Sequence, residues 1–322
     1  MKSNFLLFSV LFFSFSFAQD SLVERVKVDF SGYIDTYYSY DFGKPTQKRK
    51  QSFLYNYNRH NTFGVNLALL RATISYDNIY AKLSFHAGSY VDDNYVNEDL
   101  KIVNEAYLGV YLDQNRKTTL EVGILPSYIG FETAISHSNL TTTRSILAEN
   151  SPYFMSGVKL NYQFSEHCIF SALLTNGWQR IDKPDNTIAP AIGTQIIYKP
   201  SDKSTLNWST FIGKEYFQDE MTMRYFSNFY WDKQWNSKWR AILGFDFGIQ
   251  DSATLTNKSS YWMSPVLIAQ YTINSKWQTA VRFEYYQDDD NVIIASPVAF
   301  KASGVSWNFD YLPTSKVKFR TE

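Results

Sequence analysis

The chain has 322 residues, and its 31 Lys and Arg balance its 31 Asp and Glu, so net charge gives no support to a nucleic-acid or polyacid partner. A single cysteine, Cys168, excludes an internal disulfide framework and a cysteine-built zinc site. The 24 Tyr, 25 Phe and 8 Trp occur without long apolar runs, which favours strands that present one face to an apolar medium and the other to water.

Residues 1–18 have the pattern of a secretory signal. Lys2 precedes an apolar run that serines interrupt, and the small residues Ser16 and Ala18 have the spacing that signal peptidase recognises. The run is shorter than the roughly 20 apolar residues that a membrane-spanning helix needs, which disfavours a membrane anchor. We expect export and cleavage before Gln19.

The first alternating segment is VKVDFSGYIDTYYSYDF, residues 26–42. Apolar side chains such as Phe30 and Ile34 fall on one face, and polar ones such as Asp29 and Asp35 fall on the other. The segment is much longer than the roughly 5–6 residues of an average strand in soluble proteins. It therefore predicts a strand that faces lipid on one side and water on the other.

Fourteen further segments alternate in the same way, most clearly at 239–250 and 277–286, where each follows the letters Asn-Ser-Lys and begins with Trp. We interpret Asn-Ser-Lys as a three-residue turn and the Trp as an anchor at the level of the lipid headgroups. A frame slip at the Leu69-Leu70 pair predicts a β-bulge. The other segments are 62–76, 79–90, 103–112, 118–125, 153–164, 168–178, 191–199, 205–214, 222–232, 261–273, 300–311 and 317–322.

The connections between these segments alternate in length. The short ones are 77–78, 113–117, 165–167, 200–204, 236–238, 274–276 and 313–316, and the long ones are 43–61, 91–102, 126–152, 179–190, 215–221, 251–260 and 287–299. A β-sandwich, the alternative for alternating strands, does not segregate its loops in this way, whereas outer-membrane barrels do. The predicted fold is all-β: one antiparallel transmembrane β-barrel of about 16 strands, formed by residues 19–322 as a single domain, with short periplasmic turns and longer extracellular loops.

Three stretches carry a family resemblance: GYIDTYYSYDF, FGVNLALLRATISYDNIYAKLSFHAG and EVGILPSYIGFETAISHSNLTTTRSILAENSPYFMSGVKLNY. Through them the chain resembles the OmpL-like outer-membrane β-barrel porins of the porin-2 family. The resemblance implies an outer-membrane channel of a Gram-negative bacterium and little about the solute. Such barrels usually end on an aromatic residue, whereas this sequence ends KFRTE within an alternating segment. Because single-chain bacterial barrels have an even strand number, fifteen segments leave two interpretations, a missing C-terminal strand or a miscounted segment.

Charged residues on the polar faces are predicted to line a pore, since Arg or Lys facing lipid at the midplane costs about 2–4 kcal/mol. Both signs occur, which argues against strong ion selectivity. For each residue the alternative is a structural salt bridge across the wall. The pore-lining candidates are Asp35, Arg71, Lys82, Glu105, Glu121, Lys159, Arg240, Asp246, Arg282 and Glu284.

The long connection at 126–152 contains apolar residues, which speak against disorder. We predict that it folds into the lumen and narrows it, with Glu132, Arg144 and Glu149 near the constriction. A cap over the outer mouth is the alternative.

An enzyme is disfavoured because none of the four histidines has a metal-ligand spacing and no nucleotide-binding motif occurs. A membrane-embedded hydrolase would need His86, two residues from Ser84, or His137, and no acid partner is evident. We expect no cofactor and no metal.

The predicted function is passive diffusion of small hydrophilic solutes through an outer-membrane channel. The predicted partners are outer-membrane lipids, these solutes and the barrel-insertion machinery, without nucleic acid, and a homo-oligomer is compatible with the sequence. The alternative is a plugged structural or adhesive barrel that acts through its outward loops.

Overall fold

A computed structural model describes residues 26–183, 189–252 and 259–322, so the predicted export signal lies outside the described residues. Fifteen strands form, one in each predicted segment. They are β1 (Lys27–Ser39), β2 (Thr62–Tyr76), β3 (Ile79–Ala87), β4 (Val103–Tyr111), β5 (Thr118–Pro126), β6 (Phe154–Ser165), β7 (Cys168–Thr175), β8 (Ala191–Ser201), β9 (Ser204–Phe217), β10 (Glu220–Gln234), β11 (Trp239–Asp251), β12 (Ser259–Asn274), β13 (Trp277–Asp288), β14 (Phe300–Thr314) and β15 (Val317–Thr321). In the described parts of the connections lie two short helices, α1 (Ser89–Asn94) and α2 (Ile146–Glu149), and one 3-10 turn (Ser136–Ser138).

The strands form one antiparallel sheet in which each strand pairs with its neighbours in the chain, in the order β1 to β15. Within the described residues, β1 and β15 are the two edges of this sheet, and a cavity of about 900 Å³ is lined by residues of both. The predicted all-β, antiparallel, up-and-down architecture is confirmed. No helix among the described residues is both long and apolar enough to cross a membrane.

Six of the seven connections at one end of the sheet are long, and all seven at the other end are short. The predicted loop at 215–221 is wrong: β9 and β10 continue through it and leave only Gln218 and Asp219 as the connection. Both residues have positive φ angles, 51° and 64°, as a two-residue hairpin turn with primed geometry requires. The loop was predicted because polar residues occur at the end of β9 and at the start of β10.

The predicted bulge at Leu69-Leu70 is also misplaced. The register between β1 and β2 shifts at Asp35/Thr36, where Asn66 is the extra residue, and both Asn66 and Leu67 are buried. The pairing of β2 with β3 continues without a shift through Leu69 and Leu70. Leu69 looked out of frame because it is an apolar residue on the inward face, where it packs in an apolar cluster.

The two faces of the sheet differ in chemistry. Outward positions carry exposed apolar and aromatic side chains, such as Phe30, which is 75% exposed, and Trp239, which lies beside a short turn. Inward positions are rich in buried polar and charged residues. This is the distribution that a barrel wall between lipid and a polar interior requires. Apolar clusters also occur inside, where long connections pack against inward aromatic residues of the wall.

Candidate functional site

The connection between β5 and β6, residues 127–153, is here called the inner loop, and it packs against the far wall. The Gly130 amide donates to Asn228 Oδ1 on β10 at 3.2 Å, and the Thr142 amide donates to Asn308 Oδ1 on β14 at 3.0 Å. In the sheet, β10 and β14 lie four and eight strands beyond β6. A connection that starts at β5 reaches both strands only by crossing the interior, so the inner loop lies inside the barrel.

Two glycines of the wall, Gly193 and Gly244, leave the space that aromatic side chains of the inner loop fill. A Cβ added at Gly193 on β8 would lie 2.2 Å from the Tyr128 hydroxyl oxygen, and one at Gly244 on β11 would lie 2.5 Å from the Phe131 ring. The Tyr128 hydroxyl donates to the Thr210 carbonyl oxygen at 2.7 Å, which satisfies its polar end. The wall is therefore shaped to receive the first part of the loop.

The second part of the inner loop is held by a charged pair on β13. Arg282 Nε lies 3.0 Å from Glu284 Oε1, and both side chains are almost completely buried. Arg282 Nη1 also donates to the Thr143 carbonyl oxygen at 2.7 Å, and Glu284 Oε2 accepts from the Ile146 amide at 2.7 Å. Buried charges are tolerated when they are paired and hydrogen-bonded, and this pair uses the loop backbone for that purpose.

The three predicted constriction residues all lie on the inner loop and are all buried. Glu132 accepts hydrogen bonds from the Ser145 amide and hydroxyl, and Ser145 in turn caps α2 by accepting from the Ala148 amide. The Arg144 guanidinium lies 3.6 Å from the centre of the Tyr153 ring. These contacts stabilise the conformation of the loop itself.

Glu149, the third of these residues, ties the inner loop to the connection between β1 and β2. It accepts from the Tyr55 amide at 2.8 Å and from Asn56 Nδ2 at 2.7 Å. Burial raises the pKa of Glu149, and burial also raises the pKa of Glu132. Two long connections are therefore joined at this point in the interior.

The ten residues predicted to line a pore lie on the inward face: Asp35 on β1, Arg71 on β2, Lys82 on β3, Glu105 on β4, Glu121 on β5, Lys159 on β6, Arg240 and Asp246 on β11, and Arg282 and Glu284 on β13. Ion pairs join Arg71 to Glu105 at 2.8 Å and Arg240 to Asp232 at 2.6 Å. Several charges of the wall therefore neutralise one another.

Glu121 and Lys159 form no short ion pair with any described residue, but they face one another. Glu121 and Lys159 are register partners on β5 and β6, and Glu121 accepts from the Tyr80 hydroxyl at 2.6 Å. Asp246 instead binds the inner loop, since it accepts from the Ser151 hydroxyl at 2.8 Å. The inward charges thus divide into those that belong to the wall and those that hold the loop.

Five long connections meet at a cavity of about 240 Å³, here called the mouth cavity. Among the described residues, only Arg224 contributes to its lining from a strand, β10. The other lining residues are Tyr55, Asn94, Asn97, Glu98, Glu149, Asn150, Ser151, Trp178, Gln179, Arg180, Val292 and Ile293. The cavity therefore lies at the long-loop end of the barrel, and Glu149, Asn150 and Ser151 of the inner loop form part of its lining.

Sequence reasoning missed several buried or partly buried charged residues of the interior, among them Glu215, Arg224, Asp310 and Arg320. Glu215 was assigned to a loop. Arg224 was hidden because its face of β10 also carries Phe226, which packs in an apolar cluster inside the barrel. Alternation is broken here, because apolar Phe226 faces inward and polar Ser227 faces outward, so the pattern gave no clear signal for Arg224.

The hydrolase alternative finds little support in the geometry. The Ser84 hydroxyl accepts from Arg71 Nε at 3.0 Å, and His86 Nε2 lies 2.9 Å from the Lys101 carbonyl oxygen, so the two side chains have other partners. The His137 amide donates to the Tyr33 hydroxyl. Across the described ranges, no group of three or more His, Cys, Asp or Glu side chains is placed to hold a metal ion.

The whole described sheet, with its inner loop, corresponds to one known family. Residues 27–322 match the family described as "Putative beta-barrel porin-2, OmpL-like". The chain belongs to the porin-2 family. This porin-2 chain is a porin-like channel protein of the Gram-negative outer membrane, as the resemblance implied.

Solved structures with a similar fold include an outer-membrane channel and an anion-selective porin. The outer-membrane channel DcaP of Acinetobacter baumannii is 11% identical with a TM-score of 0.59, and the alignment covers 92% of this chain and 89% of that one. OmpF of Salmonella typhi, in complex with daunomycin, is 9% identical with a TM-score of 0.57, with 89% and 86% covered. An anion-selective porin from Comamonas acidovorans is 11% identical with a TM-score of 0.53, with 90% and 85% covered. No curated protein matches this porin-2 sequence.

Proposed function

We propose that this protein is a passive channel for small hydrophilic solutes and that the inner loop sets the width of the path. The attachment of the loop to β10, β13 and β14 across the interior carries this proposal. Solutes would enter through the mouth cavity and pass the loop along the inward face, where charges of both signs provide polar contacts. The ten inward charges are proposed to line this path.

Single-channel recording in planar bilayers tests the proposal. Deleting residues 132–148 removes the contacts of the loop with β13 and β14, so we expect a higher conductance than in the intact protein. Ser138→Ala is the control, because this exposed loop residue should leave conductance unchanged. Equal conductance with and without residues 132–148 would refute the constriction, and no current from either protein would refute the channel.

A plugged barrel that acts through its outward loops is the second candidate. It is supported by the apolar cluster in the interior, where Tyr128 and Ile146 of the inner loop pack with wall residues such as Phe211. A plug of this kind passes no current in the intact protein and gains current when residues 132–148 are deleted. The same recordings therefore separate the two candidates.

The channel would work without covalent chemistry. A hydrolase is the remaining alternative, and it would require an esterase or lipase activity that His86→Ala or His137→Ala abolishes. The contacts of Ser84 and His86 with other groups count against it.

Export would follow from residues 1–18. We expect the protein in the outer membrane to begin at Gln19, after insertion by the barrel-insertion machinery, in contact with lipid and in an oligomeric state that cross-linking would define. N-terminal sequencing of the outer-membrane protein tests this, and a chain that still begins at Met1 would contradict it.

A further inference from the structure

Arg224 is a buried cation without a carboxylate partner among the described residues. Its side chain is 5% exposed, and it lines the mouth cavity. The only hydrogen bond that its guanidinium donates within the described residues runs from Nε to Gln250 Oε1, at 2.7 Å. Burying a charge is costly unless it is paired, so this arrangement calls for an anionic partner.

The surroundings of Arg224 fix the position of its guanidinium. It lies 5.3 Å from the centre of the Trp178 ring and 5.7 Å from that of Trp262, so two indoles flank it. Gln250 is itself held, because its Nε2 donates to the Thr222 hydroxyl at 2.6 Å. The two Nη groups, which have no such partner, form the planar fork that binds a carboxylate through two parallel hydrogen bonds.

The other charged residues near Arg224, which are Arg180, Glu215 and Glu98, have hydrogen-bond or ion-pair partners of their own. Arg180 Nη2 lies 3.2 Å from Glu215 Oε2, and Glu215 Oε1 also accepts from the Trp178 amide. Glu98 accepts from a backbone amide at 3.1 Å. Burial raises the pKa of Glu98, as it does that of Glu149.

The rest of the mouth cavity is suited to hydroxyl groups. The Asn97 side chain and Asn150 Oδ1 have no hydrogen-bond partner within the described ranges, and both residues line the cavity. Trp178 adds an aromatic surface. The cavity, about 240 Å³, is smaller than the roughly 300–1,000 Å³ pockets of drug-sized ligands, so it suits a single small solute.

We propose that the mouth cavity is a binding site for a small hydroxylated carboxylate of the size of a sugar acid, with Arg224 as the carboxylate receptor. The inference deepens the proposed channel function and rests on it for its physiological meaning, because binding at the entrance would raise the local concentration of such solutes. The site itself is defined by the contacts of Arg224 and does not require that the pore conducts.

Galacturonate and galactose are the probes, since they share a sugar ring and differ by a carboxylate in place of a hydroxymethyl group. Isothermal titration calorimetry on the full chain in detergent should give at least tenfold tighter binding of galacturonate. Arg224→Gln should abolish this preference, and Arg224→Lys should retain part of it. The control is Lys214→Gln, which removes a cation one position away in the register but on the outward face, and it should bind as the intact protein does.

Equal affinities for the two sugars, no binding of either, or unchanged galacturonate binding by Arg224→Gln would each overturn the proposal. If Arg224→Gln fails to give the heat-modifiable folded band on a gel, Arg224→Lys decides by its affinity. Bilayer recordings with galacturonate test the binding site and the channel separately. Current without a selective effect of galacturonate refutes the site alone, whereas selective binding without current refutes the channel alone.

Discussion

Asn236 and Asn274 show how one side chain shapes a short turn. The Asn236 side-chain oxygen accepts from the amides two and three residues later at 2.8 and 3.0 Å, and Asn274 does the same at 2.9 and 3.1 Å. In each copy the following strand begins at the Trp, at Trp239 and Trp277, as predicted. The predicted three-residue turn is wrong in length, because the connections are residues 235–238 and 275–276. The repetition reflects a common local requirement: the side chain replaces backbone partners that the turn cannot supply.

Asn274→Ala should therefore destabilise the β12–β13 hairpin. Removing the acceptor leaves two amides to water, and we expect a loss of about 0.5–1.5 kcal/mol in the free energy of unfolding. Urea unfolding in detergent, followed by tryptophan fluorescence, measures it. Ser275→Ala in the same turn should change little, and Asn274→Asp, which retains the acceptor, should be milder than Asn274→Ala. Equal stability of Asn274→Ala and the intact protein would contradict the role of the side chain.

At the scale of elements, the inner loop is held by the two wall glycines, Gly193 and Gly244, against which its aromatic rings pack. Gly193→Ala places a Cβ against the Tyr128 hydroxyl, so the ring must move and its hydrogen bond to Thr210 is lost. We expect a destabilisation of about 1–3 kcal/mol and faster proteolysis within the loop.

Gly64→Ala is the matched control for this substitution. A Cβ at Gly64 on β2 would meet the Tyr37 ring at 3.3 Å, which requires only a small adjustment. If Gly193→Ala were digested no faster than Gly64→Ala, the packing of Tyr128 against Gly193 would not hold the loop in place. Limited proteolysis with mass spectrometry identifies the cleaved segment.

The inner loop should also make stability depend on pH. Burial raises the pKa of Glu132 and Glu149 above the ordinary value of 4.5, so the folded protein retains these protons at pH values where the unfolded chain has lost them. Their contribution to stability is present at low pH and is lost as the pH rises through the raised pKa values. The melting temperature in detergent should fall as the pH increases above 4.5. The double variant Glu132→Gln/Glu149→Gln should show a smaller decrease, and an identical slope would contradict this assignment.

The strands could be predicted from sequence because lipid and a polar interior impose alternation on each of them. The prediction was wrong where another element changes what the inward face contacts. Leu69 and Phe226 are apolar and inward because connections pack against them inside the barrel, and alternation alone cannot reveal this. Arg224 was missed for the same reason, and the partners of Glu132 and Arg144 depend on how the loop folds. Individual strands follow from the local pattern, whereas the contents of the interior follow from packing between distant segments.

At the scale of the whole molecule, the inward charges of both signs should give weak ion selectivity. Single substitutions should shift this selectivity toward cations or toward anions. Lys159→Gln removes a cation opposite Glu121 and should shift the reversal potential toward cation preference, whereas Glu121→Gln should shift it toward anion preference. Bilayer recordings in a KCl gradient measure both shifts. Shifts of the same sign, or none in a conducting channel, would show that this pair lies away from the ion path.

The two-residue connection at Gln218 and Asp219 leaves the long-loop rim of the barrel uneven. Both residues are exposed, and such hairpin tips tolerate inserted peptides. An epitope tag placed between them would be available to an antibody on intact cells if the long-loop end faces outward, and hidden from it if the orientation is reversed. The short connection at Gln218 and Asp219 is therefore a suitable insertion site for a tag that detects the protein at the cell surface. The same site could display other peptides there.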